Sequence, residues 1–508
     1  MSNRRLDVLF VESDSSGKSY QELSRVHSAI ETPTWSLLLA ESCRSRGLGA
    51  AILDCNAERL PDEQAVQRIH DAKPRLVCFV VYGQEPNAGT RNMGGAVRLC
   101  AKLKEGYPEF LTCFVGSHIS ALPKEVLAYD FVDIVLLNEG VYALHNLLLS
   151  DLHDELGKVN GIGYKQNGIL ILTPPQQIVP QHLMDRDLPG YAWDLLPYKQ
   201  KPLDLYRAHF WHAEFNHNLR TPFAALYTSL GCPFKCDFCM INILNRVDNS
   251  DGIVSADSAI MRYWSPDFIL REFDKLVEIG VETVRISDEM FFLNRKYYEP
   301  LLRGLIERGY NLRMWAYSRV DTVRPQYLEL FRKAGIRWLA LGIEAGNQEI
   351  RREISKGKFQ EIDIREAIGQ VRDHDINVVG NFIFGLPDDT YESMQQTLDL
   401  AIELNTEHAN FYPCQALPGS PLYNVAVQNG WKLPDSYEGY GFLSYESEPL
   451  PTKHLSAAQV LKFRDDAWYK YFGRPEYLDL VECKFGVEQR RNVEELTKIR
   501  LKRKLLGD

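Results

Sequence analysis

The sequence predicts an α/β protein in two halves, a doubly wound parallel sheet over residues 1–150 and a partial (β/α)6 barrel over 221–425. Three observations predict it. Short apolar runs rich in β-formers alternate with helical patterns in both halves, as parallel strands covered by helices require. A turn-rich connector, 151–220, interrupts the alternation. The chain of 508 residues also exceeds what one core normally supports. A helical region over 426–508 follows the barrel.

In the first half, Leu6-Asp7-Val8-Leu9-Phe10-Val11 reads as a strand, followed by a polar loop to about Glu31 and helical periodicity from Trp35 to Arg46. Ala50–Asp54, Leu76–Tyr82, Thr112–Gly116 and Ile134–Leu137 supply the other strands, with helices over Glu63–Ala72, Ala88–Lys104 and Pro123–Ala128. Ligands on such sheets lie beyond the carboxyl ends of the strands. Gly17-Lys18-Ser19 ends like a phosphate-binding loop. That motif needs glycine at position 12, which is Glu12, so no nucleoside-triphosphate site is expected.

In the connector, Gly161–Lys165 and Ile169–Leu172 flank Gln166-Asn167-Gly168, a hairpin signal. Asp185–Pro197 reads as an ordered linker. The stretch carrying Tyr206, His209, Phe210, Trp211, His212 and His217 is expected to pack between domains rather than to line a pocket.

The second half opens with the strand-like run Phe223–Tyr227. Ser265-Pro266-Asp267 caps a helix through Ile279, with proline in the first turn. Strands follow at Val281–Ile286, Met314–Ser318, Trp338–Ile343, Val378–Phe384 and, after a helix from Thr390 to Leu404, Ala409–Tyr412. Six β/α units suggest an open barrel with its chemistry at the carboxyl mouth of the strands. Leu455–Tyr471 is helical and aromatic, and the basic run Lys498–Lys504 is expected on a solvated amphipathic helix.

Composition bounds the function. A net charge of −10 argues against broad nucleic-acid binding, which must neutralise phosphates. No apolar run approaches a membrane span, and because the N-terminus runs straight into a strand no signal peptide is expected. Ten cysteines, three of them clustered, do not form a disulfide framework, so a reducing cytoplasm is expected. Cys43, Cys55, Cys78, Cys100, Cys113, Cys414 and Cys483 are expected as small buried residues.

The chemistry concentrates in GCPFKCDFC, Gly231 to Cys239, which spaces Cys232, Cys236 and Cys239 as CxxxCxxC just after a strand. Three thiolates hold three irons of a 4Fe–4S cube and leave the fourth iron open to another ligand. Structural zinc would need a closed set of four ligands, and no second cysteine pair or histidine stands at knuckle spacing.

This motif resembles that of the radical S-adenosylmethionine (SAM) superfamily. The resemblance implies that the open iron chelates SAM and that an electron splits it to a 5′-deoxyadenosyl radical. It further implies SAM contacts at Phe238 beside the last cysteine, at Glu289, at Ser318 and Arg319, and at Glu344 of the GIE-x-G-like stretch near the ribose. A carboxylate accepting two hydroxyl donors suits a ribose diol. An electron donor such as flavodoxin or ferredoxin is implied as a partner.

The first half resembles the Rossmann-like cobalamin-binding domain that precedes many radical SAM domains. The matching residues are Thr32-Pro33-Thr34-Trp35, Val115-Gly116-Ser117-His118, Ala121-Leu122-Pro123-Lys124-Glu125 and Asn138-Glu139-Gly140-Val141. The resemblance implies cobalamin contacts at Tyr82, Gly116, Ser117, His118, Glu139 and Gly140. Asp54-Cys55-Asn56-Ala57-Glu58 stands where the mutases carry a DxHxxG loop. It has no histidine, so no ligand to cobalt is expected from that loop.

Together the resemblances imply a cobalamin-dependent radical SAM enzyme, a methyltransferase acting on an unactivated carbon of a small-molecule or natural-product substrate. The alternatives are a rearrangement, ring contraction or oxygen insertion in which cobalamin delivers no methyl, and a non-catalytic cobalamin or SAM sensor. Nothing in the sequence singles out a general acid or base.

Overall fold

Val8–Glu12 (β1) is apolar throughout until its last residue, as a strand covered on both faces must be. It pairs in parallel with Ala50–Asp54 (β2) and Leu76–Val81 (β3), and the sheet continues through Thr112–Gly116 (β4) and Ile134–Leu136 (β5). The structure is a computed structural model describing residues 6–82, 86–152, 154–197, 203–246, 259–355, 359 and 362–508. The connector hairpin, Ile162–Gln166 (β6) and Ile169–Leu172 (β7), adds antiparallel along β5, so this seven-stranded sheet, ordered β2-β1-β3-β4-β5-β6-β7, reaches beyond residue 150. The expected loop before Glu31 holds two short helices, Ser16–Tyr20 and Leu23–Val26, neither long enough to show an apolar period.

The second sheet begins at Phe223–Leu226 (β8). A short antiparallel pair, Ser229–Gly231 (β9) and Met261–Tyr263 (β10), follows it. Thr283–Ile286 (β11), Arg313–Arg319 (β12), Ile336–Glu344 (β13), Asn377–Phe384 (β14) and His408–Pro413 (β15) complete six parallel strands in the order β15-β14-β13-β12-β11-β8. Ser265 caps the helix Pro266–Glu278 by accepting from the Phe268 amide at 3.3 Å, and a Thr390–Ser393 capping box opens Tyr391–Leu404.

The open edge at β8 is covered by the first domain. Thr32 Oγ1 donates to the Ala225 carbonyl at 3.0 Å and accepts from the Ala225 amide at 2.9 Å. Ile30 bridges to Arg207 beside it. One apolar core therefore runs without a break from Trp35 and Leu38 through Tyr191 and Trp193 to the barrel strands, while Val66, Ile69, Leu99 and Leu103 form a second core on the other face of the first sheet. Trp211, Trp315, Trp338 and His408 pack as an aromatic floor, with Trp211 ring centroids 4.8 Å from Trp315 and 5.3 Å from Trp338.

Two expectations at the C-terminus are corrected. The last helix, Val487–Lys498, ends where the basic run begins, and Arg503 is buried in a bidentate pair with Asp465 at 2.8 Å rather than solvated. Cys483 is exposed, whereas Cys43, Cys55, Cys78, Cys100, Cys113 and Cys414 are buried. Among the described residues no helix is long and apolar enough to cross a membrane.

Candidate active site

The three thiols follow β9 in one tight loop. Gly231 has φ +89°, and a Cβ there would run into the Asn245 side chain and the Ile260 carbonyl, so only glycine passes the chain through this gap. Cys232 is buried; Cys236 and Cys239 are half-buried, with the Cys239 amide donating to the Cys236 carbonyl at 3.1 Å. Burial pushes the Cys232 thiol up to about 12 and the Cys236 thiol up to about 11, with the Glu289 and Glu344 carboxylates adding in turn. Cys239 is raised by burial and by Glu289, and Cys236 adds to the rise at both Cys232 and Cys239. Such thiols are poor free nucleophiles, whereas a coordinating metal deprotonates them outright. Among the described residues no three His, Cys, Asp or Glu side chains converge as a single ion would need. The donor set instead fits a cubic cluster held by three thiolates.

Asp288, which the sequence reading passed over, anchors this loop. Its carboxylate accepts from the Thr228 amide, the Thr228 hydroxyl and the Ser229 hydroxyl, all at 2.6 Å. Burial raises its carboxyl to about 6 against the pull of these bonds.

At the strand ends the sequence-predicted SAM residues divide. Arg319 lies 3.7 Å over the Phe234 ring of the cysteine loop, is paired to Asp321 at 2.6 Å, and acts electrostatically on Cys236 and Glu344. Glu344 sits at φ +67°, at a shift in register between β13 and β14. A left-handed non-glycine residue costs on the order of 1–3 kcal/mol, and such strain with a bulge typically re-aims a side chain at a functional site. Burial pushes the Glu344 carboxyl up to about 7, with Arg319 pulling the other way. Glu289 faces the thiols electrostatically. Phe238 packs beside Leu386, Leu422 and Trp431 in a groove at the carboxyl ends of β13 and β14. Ser318 is not brought to this cluster. The pleat sets it on the opposite face to Tyr317 and Arg319, and its hydroxyl is held by Thr322 at 2.6 Å.

The sequence-predicted cobalamin residues collect at the carboxyl ends of β3, β4 and β5. Tyr82 stacks on Trp35 at 4.6 Å and donates to the Asn138 carbonyl at 3.0 Å. A Cβ at Gly116 would collide with the Val81 carbonyl oxygen, so β3 and β4 approach closely only through this glycine. Ser117 is buried, and Gly140 opens the helix Val141–Leu149. His118 is buried between Thr90 and Glu125, each 3.2 Å from a ring nitrogen. Asp54 is held by the Ala57 amide and the Tyr206 hydroxyl, both at 2.9 Å. Two buried donors at this face, Asn138 Nδ2 and Trp35 Nε1, have no partner among the described residues. Unpaired buried N–H groups are rare, and they fit a large ligand rich in amide acceptors, such as a corrin.

The two faces meet. Asn87, beyond β3, accepts from the Met240 amide at 3.1 Å, which turns its Nδ2 toward Cys239 Sγ, 3.8 Å away. Glu139 pairs with Arg262 of β10 at 2.8 Å, with both side chains buried, and also accepts from the Val179 amide. A narrow crevice lined by Trp35, Tyr227, Gly231, Arg262 and Glu289 runs between the faces. Sequence reasoning missed Asn87 and Arg262, because neither lies in a motif and only the tertiary fold brings them here.

Residues 226–401 match the family model of the Radical SAM superfamily, and residues 27–148 match that of the B12 binding domain. An uncharacterized methyltransferase of Pyrococcus horikoshii is 25% identical over 374 residues, covering 72% of this chain and 72% of the relative. The anaerobic magnesium-protoporphyrin IX monomethyl ester cyclase of Rubrivivax gelatinosus is 26% identical over 431 residues, 81% of this chain and 68% of the relative. Among solved structures, the radical S-adenosylmethionine methyltransferase TsrM from Kitasatospora setae, with tryptophan substrate and a SAM analog bound, superposes with a TM-score of 0.67. That match covers 97% of this chain and 99% of the other at 15% identity, a likeness of fold.

Proposed function

Because residues 27–148 are a B12 binding domain and residues 226–401 a radical SAM domain, we propose that this chain is a cobalamin-dependent radical SAM enzyme that methylates an unactivated carbon of a small-molecule substrate. The observation that carries the reading is the meeting of the two faces, with Asn87 of the first domain bonded into the loop that holds Cys239. A substrate at that junction would lie between the two sets of residues proposed to hold the cofactors.

Cys232, Cys236 and Cys239 would hold the 4Fe–4S cluster. Phe238, Glu289, Arg319 and Glu344 would surround SAM, with Ser318 acting only through Thr322. Tyr82, Gly116, Ser117, Glu139 and Gly140 would border cobalamin, and His118, held by Thr90 and Glu125, would stand behind that face. When bound, these groups supply reductive SAM cleavage and methyl carriage. The protein positions, neutralises and excludes water. Arg319 offsets thiolate charge beside Cys236. Glu344, with its carboxyl near 7, either donates to or accepts from a ribose hydroxyl. The aromatic floor closes the far end of the barrel to solvent. A small reduced protein such as flavodoxin or ferredoxin is the proposed electron donor, and the free cysteines suit a reducing cytoplasm.

The Pyrococcus methyltransferase and TsrM support methyl transfer. The Rubrivivax cyclase favours a second reading, a radical reaction in which cobalamin delivers no methyl. Turnover with methyl-deuterated SAM separates them. Methyl transfer gives labelled product with S-adenosylhomocysteine and 5′-deoxyadenosine in about equal amounts, one per role of SAM. Unlabelled product formed alongside 5′-deoxyadenosine would establish the second reading instead.

A further inference from the structure

A cavity of about 180 Å³ lies between the inner face of the barrel, the segment Tyr20–Ala29 of the first domain and the C-terminal helices. The strand register explains its position. Arg285 of β11, Tyr317 of β12 and Asn410 of β15 share the inner face of the sheet, below Arg319 on the same side of β12. Aromatic side chains make up a large share of its walls, with Trp211, Trp315, Phe442, Trp468 and Tyr469 among them.

The charges around it do not balance. Arg285 is paired with Glu31, and Glu31 also meets His209, so burial fails to raise that carboxyl and it is held below its usual range. Arg464 and Arg503 share the single carboxylate of Asp465, so that group also carries a surplus positive charge, but each guanidinium has Asp465 beside it and donates to a backbone carbonyl, of Phe411 and Ser444 respectively. His27 and His408 add no charge, since burial pushes them down to about 4 and about 3. Arg91 remains. It is 8% exposed and, among the described residues, has no carboxylate partner, leaves its Nε without an acceptor, and makes one side-chain hydrogen bond, to the Tyr20 hydroxyl at 2.9 Å, with the Tyr20 ring 5.2 Å below its guanidinium. The Trp315 indole N–H on the same cavity also lacks an acceptor. A guanidinium buried without a counter-charge is strongly unfavourable, more so in a chain whose net charge is −10 and which has carboxylates to spare.

Resting on the reading of this chain as a cobalamin-dependent radical SAM enzyme, we infer that this cavity is the substrate site and that the substrate is a planar aromatic or conjugated molecule bearing an anionic group, which Arg91 receives. The aromatic walls supply stacking surface for the planar body, and a carboxylate or phosphate completes the fork of Arg91. Arg91 thus selects substrate from the first domain, while the reacting carbon is presented toward Arg319 and the cysteine loop.

The test uses the cluster-reconstituted full chain without cobalamin and reads its own fluorescence, because Trp211, Trp315 and Trp468 line the cavity. The probes are 2-naphthoate and 3-phenylpropionate, with 2-naphthamide and 3-phenylpropionamide as uncharged twins. The acids are expected to quench fluorescence and raise the melting temperature at concentrations at least tenfold below those of the amides. Arg91→Gln is expected to abolish that preference, and Arg91→Lys to retain part of it, with cluster absorbance unchanged in both. Equal effects of acid and amide, no binding of either acid, or an acid preference surviving in Arg91→Gln would overturn the inference. A separate titration with hydroxocobalamin covers the other anion at this junction, the phosphate of the cofactor's nucleotide tail. Cobalamin binding weakened tenfold in Arg91→Gln, with acid binding intact, would assign Arg91 to the cofactor and overturn the inference. Cluster content and SAM cleavage, measured in the same preparations, report independently on the enzyme assignment.

Discussion

Glu139 and Arg262 tie the two domains together at the cofactor junction, and removing one charge from the pair is a direct test of that architecture. Glu139 is 2% exposed and Arg262 3% exposed. Glu139→Gln would leave the guanidinium with the Val179 carbonyl at 2.7 Å and the Asn245 amide oxygen at 2.9 Å, both neutral acceptors. Breaking a buried pair by neutralising one member costs about 3–5 kcal/mol, because the remaining charge stays desolvated. Removing both charges is far less costly, so Glu139→Gln with Arg262→Met should recover at least about 2 kcal/mol of that loss. Urea unfolding followed by tryptophan fluorescence gives the free energies, and limited proteolysis at the connector reports whether the domains part. A single variant costing under about 1 kcal/mol, or a double variant as unstable as the sum of the singles, would refute the reasoning.

Two further outcomes follow from the site. Cys236→Ala should remove the broad visible absorption of thiolate-to-iron charge transfer and all SAM cleavage, while Cys43→Ala and Cys78→Ala should keep both; a cluster retained in Cys236→Ala would sink the central assignment. Asp54 contributes to the pH dependence of the first domain beside Glu12, whose carboxyl burial also raises: burial lifts the Asp54 carboxyl from 3.8 to about 6, so between those values the native state holds a proton that the unfolded chain has lost. Stability should therefore fall by about 3 kcal/mol as pH rises through that window, and equilibrium unfolding of Asp54→Asn at pH 4 and pH 7 should lack that part of the slope.

Much of this was legible because it is local. CxxxCxxC is a statement about one loop, and apolar runs such as Leu76–Val81 announce buried strands without help from the rest of the chain. The short helices at Ser16–Tyr20 and Leu23–Val26 escaped notice because two turns of polar sequence carry no period. Ser318 was placed by motif, yet the pleat of β12 turns it away, since neighbouring strand residues face opposite sides. The basic C-terminal run looked solvated because charge normally is; Arg503 departs from this only because Asp465, far back in the chain, waits for it. Asn87, Asp288, Arg262 and Arg91 share that difficulty. Each is an ordinary polar residue whose meaning lies in a partner distant in sequence, or in the lack of one.

The contact between Thr32 and Ala225 also has a temporal side. The two residues lie 193 positions apart. At about 5–20 residues per second of synthesis, some 10–40 s separate their arrival at the ribosome exit. Over that interval, along the strip from Ile30 to Thr32, Thr32 waits for its strand, Ile30 waits for Arg207 until shortly before its end, and Glu31 still has no Arg285. The first sheet can assemble on its own strands meanwhile, but its junction face stays unfinished until the barrel's first strand is made. Birth order therefore makes the cobalamin-side domain a template on which the barrel edge is laid down, and a nascent chain stalled before residue 225 would present that strip to chaperones.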